Sequence, residues 1–133
     1  MQVENKVMPS AEQIAATFGA PEDGPFVMVN LLKFKARATY ASGEDISGRD
    51  AYMRYGDEVK RLVESLGGRM IFSGTVTRLM LGVCDDLWDA VALVEYPSRA
   101  AFRAMTQMPA FHAIETHRVA GLDGQLNIES KQR

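Results

Sequence analysis

One cysteine in 133 residues, Cys84, leaves this chain without an internal disulfide or a cysteine metal cluster. There is little net charge: 15 Lys and Arg against 17 Asp and Glu give −2 at neutral pH and a pI near 5.7. Nothing in that balance favours nucleic acid or an anionic membrane as a partner. No run of about 18 apolar residues exists that could span a bilayer. The first residues, MQVENKVMPS, lack the basic start and apolar core of a secretion signal, so a cytoplasmic location is expected. Low-complexity tracts, internal repeats, phosphate loops, nucleotide fingerprints, catalytic triads and zinc spacings are missing too. What is present is a 47% hydrophobic, 24% charged composition, enough apolar material for the core of one domain.

Ser10 and Gln13, three apart, form a capping signal for a short helix that Gly19 and the Pro21–Pro25 turn bring to an end. Ile14 and Phe18 are its expected anchors. Residues 1–24 thus read as a helical extension of a domain at 25–133. Phe26–Phe34, FVMVNLLKF, has the composition of a strand. Alternation places Phe26, Met28, Asn30, Leu32 and Phe34 on one face and Val27, Val29, Leu31 and Lys33 on the other. Residues 36–46 are polar and predict a loop. Ser47 and Asp50 open a second helix whose Tyr52, Tyr55, Val59, Leu62 and Leu66 fall on one stripe, and Gly67 suits its left-handed end. A strand is expected from Arg69 to about Leu81 with a bulge at Gly74, and another from Trp88 to Tyr96. Ser98 caps a helix with Ala101, Phe102 and Met105 facing in. Pro109 opens a further helix, and Gln125–Glu129 is a last strand.

The order strand, helix, strand, strand, helix, strand predicts the split βαβ arrangement, an α+β fold whose helices cover one face of an antiparallel sheet. Yet the strands FVMVNLLKF and WDAVALVEY carry apolar residues on both faces, where a solvated face would be polar. A second copy of the chain is the simplest cover, the two sheets stacking about 10 Å apart.

Ala51-Tyr52-Met53-Arg54-Tyr55, Gly67-Gly68-Arg69, Trp88-Asp89, Val94-Glu95-Tyr96-Pro97-Ser98, Pro109-Ala110-Phe111 and Arg118 resemble, in order and spacing, a known family. It is the domain of unknown function 1330, of the dimeric α+β barrel superfamily. Val29–Phe34 is similar to a subgroup with a longer N-terminus. The resemblance implies a ferredoxin-like fold and a barrel-like homodimer. Superfamily relatives include cofactor-free monooxygenases, lactone isomerases, polyketide cyclases and haem-handling enzymes, with a pocket between sheet and helices.

Candidate chemistry is sparse. Asn30 is an amide among apolar neighbours. It needs partners, on pain of roughly 1–3 kcal/mol, or it serves as an orienting or oxyanion-type donor. Superfamily monooxygenases often pair a strand asparagine with a tryptophan, and Trp88 is the one available. The two histidines, His112 and His117, lie about 140° apart on one helix and cannot share a metal. His117 flanks the inward stripe and is the candidate acid/base group, while His112 points outward. Arg118 lies within that stripe and needs a carboxylate, either Glu95 or a bound acidic ligand. Tyr52 and Tyr55 are core residues or pocket walls. Lys33 and Glu95, on the opposite faces to Asn30 and Trp88, are candidate partners at a dimer interface.

These residues give two expectations. The first is a cofactor-free enzyme acting on a small apolar or aromatic molecule by oxygenation, isomerisation or cyclisation. His117 and Asn30 would be catalytic, Trp88, Tyr52, Tyr55 and Arg118 would bind substrate, and no metal would be needed. The alternative is a non-catalytic small-molecule binder or structural dimer.

Overall fold

Serine caps start three of the four helices of the computed structural model, which describes all 133 residues. Ser10 and Gln13 form a reciprocal capping box at α1, Ala11–Gly19. Ser47 accepts from the Asp50 amide at the head of α2, Gly48–Ser65, and Ser98 from the Ala101 amide at the head of α3, Arg99–Thr106. The fourth helix, α4, Pro109–Gly121, has no side-chain cap and starts on its proline, whose missing N–H would have gone unpaired in any case. Gly67 ends α2 with φ +85°, the left-handed turn its position predicts.

The strands are β1, Phe26–Phe34; β2, Arg69–Thr75; β3, Ala90–Tyr96; and β4, Leu122–Ser130. They form one antiparallel sheet in the order β2-β3-β1-β4, the ferredoxin-like split βαβ topology. Asn30 pairs with Ala92 on β3 and with Asn127 on β4, which fixes the faces. Phe26, Met28, Leu32, Ala90, Ala92, Val94 and Tyr96 are buried beneath the helices with Tyr55, Val59, Val63, Met105 and Phe111. The other face carries Val27, Val29, Leu31, Val91, Leu93 and Leu126, each only half-buried, with Phe72 52% and Ile128 47% exposed. The two-faced apolar pattern expected from the sequence is therefore present, and in this chain one face is uncovered.

Several boundaries differ from expectation. β2 stops at Thr75 because it is an edge strand whose only partner, β3, begins at Ala90, opposite Thr75. The apolar stretch to Leu81 is irregular, and Met80 and Leu81 are exposed. Trp88 lies outside β3. The register shift falls between Met70 and Phe72, not at Gly74, whose missing side chain instead makes room for the Phe72 ring. β4 starts three residues earlier than expected, directly from the end of α4. Phe18 anchors α1 by packing on Phe102, ring centroids 5.5 Å apart, whereas Ile14 is exposed.

The tightest packing in the molecule joins α2 to α4. A methyl group at Gly48 would lie 2.7 Å from the Gly121 carbonyl oxygen, and one at Gly121 would lie 2.8 Å from the Tyr52 backbone nitrogen. Neither glycine has a positive φ, so their smallness, not their conformational freedom, is what the site uses. Lys35 locks the contact from outside: its N–H donates to the Gly121 carbonyl at 2.8 Å and its carbonyl accepts from the Gly48 N–H at 3.1 Å. We expect Gly121→Ala to cost about 2–3 kcal/mol in urea unfolding, because backbone atoms of two helices would have to move apart. A loss below about 0.5 kcal/mol would show that the helices separate freely.

Candidate functional site

Because Gly48 and Gly121 let the helices touch, the first two turns of α2 lie against the last two of α4. Tyr52 and Tyr55 from α2 stack at a centroid separation of 5.4 Å. Phe34 closes on Tyr52 at 5.3 Å and Phe111 on Tyr55 at 6.3 Å. Asn30 lies between Met28, which packs in the Tyr55 cluster, and Leu32, which packs with Tyr52, so its amide is beneath this aromatic layer. Tyr96 enters from β3.

Burial pushes the Tyr52 hydroxyl up to about 12, against the pull of the nearby Arg118 charge. It pushes Tyr55 well above its ordinary value, with the neighbouring Tyr52 adding to the shift, and raises Tyr96 as well. All three hydroxyls stay protonated at neutral pH. None makes a hydrogen bond within the chain, yet no buried side-chain oxygen or nitrogen is both sealed and unpartnered. Each of these hydroxyl oxygens therefore keeps a small contact with solvent.

Arg118, from the last turns of α4, is only 7% exposed. Its hydrogen bonds go to neutral groups of the N-terminal segment, the Val7 carbonyl and, at 3.7 Å, the Met8 sulfur. Lys6 holds that segment to the outer edge of β4 through a pair of backbone bonds with Gln125. Trp88 donates its indole N–H to Asn5 at 2.9 Å, so it is tied to the same segment. Glu95, the carboxylate expected for Arg118, instead pairs with Arg69 on the open face, since its register puts it opposite Val27. Lys33 pairs with Asp86 and Asp89 at the other end of that face, so Lys33 and Glu95 are not partners within the chain.

Asn30 uses both amide hydrogens on strand carbonyls, Met28 at 3.2 Å and Ala92 at 3.1 Å. With both hydrogens so engaged, Asn30 holds no spare donor for an oxyanion in this arrangement, and its oxygen is the group without a partner in the chain. His117 lies half-buried on the flank of α4 under the 35–47 loop. Its Nδ1 shares a 2.6 Å hydrogen bond with the Tyr40 hydroxyl. Arg54 sits over the Tyr40 ring at 5.5 Å and pairs with Glu44, and this bond holds the Glu44 carboxyl below the usual carboxylate range. His112 is exposed, and no three His, Cys, Asp or Glu side chains converge as a metal set would.

The structure thus groups Tyr52, Tyr55 and Arg118, with Asn30 beneath, and places His117 and Trp88 in separate contacts. A cavity of about 360 Å³ opens at the opposite end of the sheet, by Phe26, Val27, Glu95 and Lys131, and of the candidate polar residues singled out from the sequence only Glu95 lines it. Tyr96, Tyr40 and Val7 were not anticipated. Tyr96 shares the inward parity of β3 and was within reach of the pattern; Tyr40 and Val7 belong to segments without periodicity.

The sequence profile of the family described as Domain of unknown function (DUF1330) matches residues 35–130. No protein of curated function is similar in sequence. Among solved structures, RPA0582 from Rhodopseudomonas palustris, a protein of unknown function, is 32% identical with a TM-score of 0.86, and 98% of each chain is covered. The methylated RPA0582 protein is 33% identical with a TM-score of 0.87, over 97% of this chain and 96% of that one. A dabb family protein with a ferredoxin-like fold from Mesorhizobium loti shares the fold at 16% identity, TM-score 0.51, over 84% of this chain and 99% of its own. So does a dimeric ferredoxin-like protein of unknown function from Thermobifida fusca, at 12% identity, TM-score 0.52, over 82% and 92%.

The tyrosine shifts set a pH dependence. A phenol whose folded value is raised favours the folded state fully below its ordinary value of 10, and that contribution is lost as pH rises towards 12. Tyrosinate absorbance should therefore show three of the four tyrosines ionising late, with the urea midpoint falling across that interval. In Tyr55→Phe the fall should be shallower. Early ionisation of all four would mean that the tyrosine layer stands in open water.

Proposed function

This chain belongs to the DUF1330 family, and from that premise we propose that it is a homodimeric protein that binds a small, largely apolar or aromatic molecule between its sheet and its helices. The observation that carries this reading is the set of protonated, unpartnered hydroxyls of Tyr52, Tyr55 and Tyr96 in a layer otherwise made of hydrocarbon. Buried polar atoms ordinarily find partners within the fold. Here the aromatic walls supply contact area, and the hydroxyls and the Asn30 oxygen supply orientation, the usual balance of a small-molecule site.

The homodimer rests on the uncovered face. Val29, Leu31, Val91, Leu93, Phe72 and Ile128 form a continuous apolar surface larger than scattered exposure explains. A second sheet packed on it buries that surface symmetrically, and the Thermobifida fusca protein of the same fold is described as dimeric.

A second reading, a cofactor-free enzyme carrying out isomerisation, cyclisation or oxygenation, draws on the Tyr40–His117 hydrogen bond at 2.6 Å. It orients the imidazole and leaves Nε2 available for proton transfer on the α4 turn next to Arg118. The commitment of both Asn30 hydrogens to strand carbonyls weighs against an oxyanion-stabilising site, so binding is the primary reading.

Amide shift mapping of the full chain against a set of small aromatic compounds tests the site. Perturbations should concentrate on residues around Asn30, Tyr52, Tyr55 and Arg118; a scatter over the surface would sink the proposal. A compound recovered altered from the native protein but unaltered from His117→Ala would establish catalysis. For the dimer, sedimentation should give twice the 14.7 kDa chain mass. Leu93→Asp should give the chain mass or unfold, and a native protein that sediments as a monomer would remove the dimer.

A further inference from the structure

Within the binding reading just given, on which it rests, we propose that the ligand is a small organic monoanion, an aromatic or apolar carboxylic acid, and that Arg118 is the residue that grips it. The argument begins with the cost of the arginine. A guanidinium stays charged in any protein environment, and one buried without an anion forfeits hydration that neutral acceptors only partly replace. At 7% exposure Arg118 falls within the range of the core residues, and its partners are a carbonyl and a thioether. Glu115, one turn earlier on the same helix, lies near enough to act on the Tyr55 hydroxyl but forms no ion pair with Arg118.

Elsewhere the same chain satisfies a comparable arginine completely. Arg99, its side chain 11% exposed, has Glu129 and Asp23 as carboxylate partners. An arginine buried for stability is thus given acids by this sequence, whereas Arg118 is given the Val7 carbonyl, on a segment pinned by one backbone bridge. A ligand carboxylate meets the guanidinium fork with two parallel charge-assisted bonds and takes the place of that carbonyl.

The surroundings define the rest of the ligand. Tyr52 lies against the α4 end that carries Arg118, its Cβ 3.2 Å from where a methyl group at Gly121 would stand. The Arg118 charge acts on the Tyr52 and Tyr55 hydroxyls, which are protonated and free to donate to a carboxylate there. One cation with neutral donors balances one negative charge, which favours a carboxylate over a phosphate ester. Phe34, Phe111 and the tyrosine rings face any attached body with aromatic surface.

Matched pairs of aromatic carboxylates and their primary amides, benzoate with benzamide and phenylacetate with phenylacetamide, test this on the full chain by calorimetry and amide shift mapping. Carboxylates should bind at least about tenfold more tightly than their amides. Arg118→Met should abolish that preference, weakening the carboxylates far more than the amides. Its ligand-free melting temperature should be no lower than that of the native protein, since an uncompensated buried cation is removed; a marked drop would make Arg118 a structural residue and overturn the proposal. Arg118→Lys, which keeps the charge and loses the fork, gives an independent reading: a reduced preference supports the proposal and an intact one overturns it. Equal affinity for acids and amides in the native protein would end the anion inference and leave the binding reading standing. If neither series binds, the binding reading itself fails.

Discussion

The contact between Gly48 and Gly121 is the constraint on which the rest of the helical layer depends. Two helices approach at backbone distance only where both lack side chains, and here the approach falls at the first turn of α2 and the last of α4. One consequence is directional. With the α2 start fixed against the α4 end, the stripe carrying Tyr52 and Tyr55 faces the turn carrying Arg118. A second consequence is topological: α4 runs straight into β4 at Leu122, so the same contact sets where the edge strand begins and which of its residues face the helices. The juxtaposition of Tyr52, Tyr55 and Arg118 thus follows from a packing requirement of the two helices.

The two faces of the sheet follow from strand parity alone. In β3 burial alternates strictly, with Ala90, Ala92, Val94 and Tyr96 inside and Val91, Leu93 and Glu95 partly outside. The small Ala90 and Ala92 leave space beneath Tyr52, while the branched residues on the outer face would have no reason to be apolar if water were their permanent neighbour. Charge is kept to the ends of that outer face, Lys33 with Asp86 and Asp89 at one and Glu95 with Arg69 at the other. The apolar middle is framed by satisfied ion pairs, an arrangement that suits burial against a second sheet.

Most of this architecture was legible in the sequence because it is encoded locally. The serines at 10, 47 and 98, the glycine at 67 and the alternation of FVMVNLLKF each act within a few residues of where they stand. The misread stretch, Val76–Leu81, shows where local encoding fails: its apolar residues fit a strand, but a strand exists only where a neighbour supplies hydrogen bonds, and β3 is too short to do so. The same holds for the site. Asn30 was placed on the correct face by parity, and Tyr52 and Tyr55 by helical phase. What escaped were the partners. One amide hydrogen of Asn30 goes to the carbonyl of Ala92, 62 residues away, and Arg118 bonds to Val7, 111 residues away. Backbone acceptors carry no residue signature, so a search for a complementary side chain pointed to Glu95 instead. The Gly48–Gly121 contact was invisible for the same reason, since nothing in either neighbourhood distinguishes a packing glycine from a turn glycine.

The two ends of the sheet treat their buried arginines differently. At the Phe26 end, Arg99 bridges α1, α3 and β4 through Glu129, Asp23 and the carbonyls of Thr17 and Pro21, and Lys131 adds a further bond to Asp23. Cations there meet acids, the contacts cross several elements, and their loss would loosen the fold. At the Arg118 end the closing segment is the first eight residues, joined by one backbone bridge and by bonds from Trp88 and Arg118 to neutral acceptors. A protein that must admit a molecule between sheet and helices needs one end that holds and one that yields. The distribution of carboxylates, plentiful around Arg99 and withheld from Arg118, matches the division that the proposed binding would require.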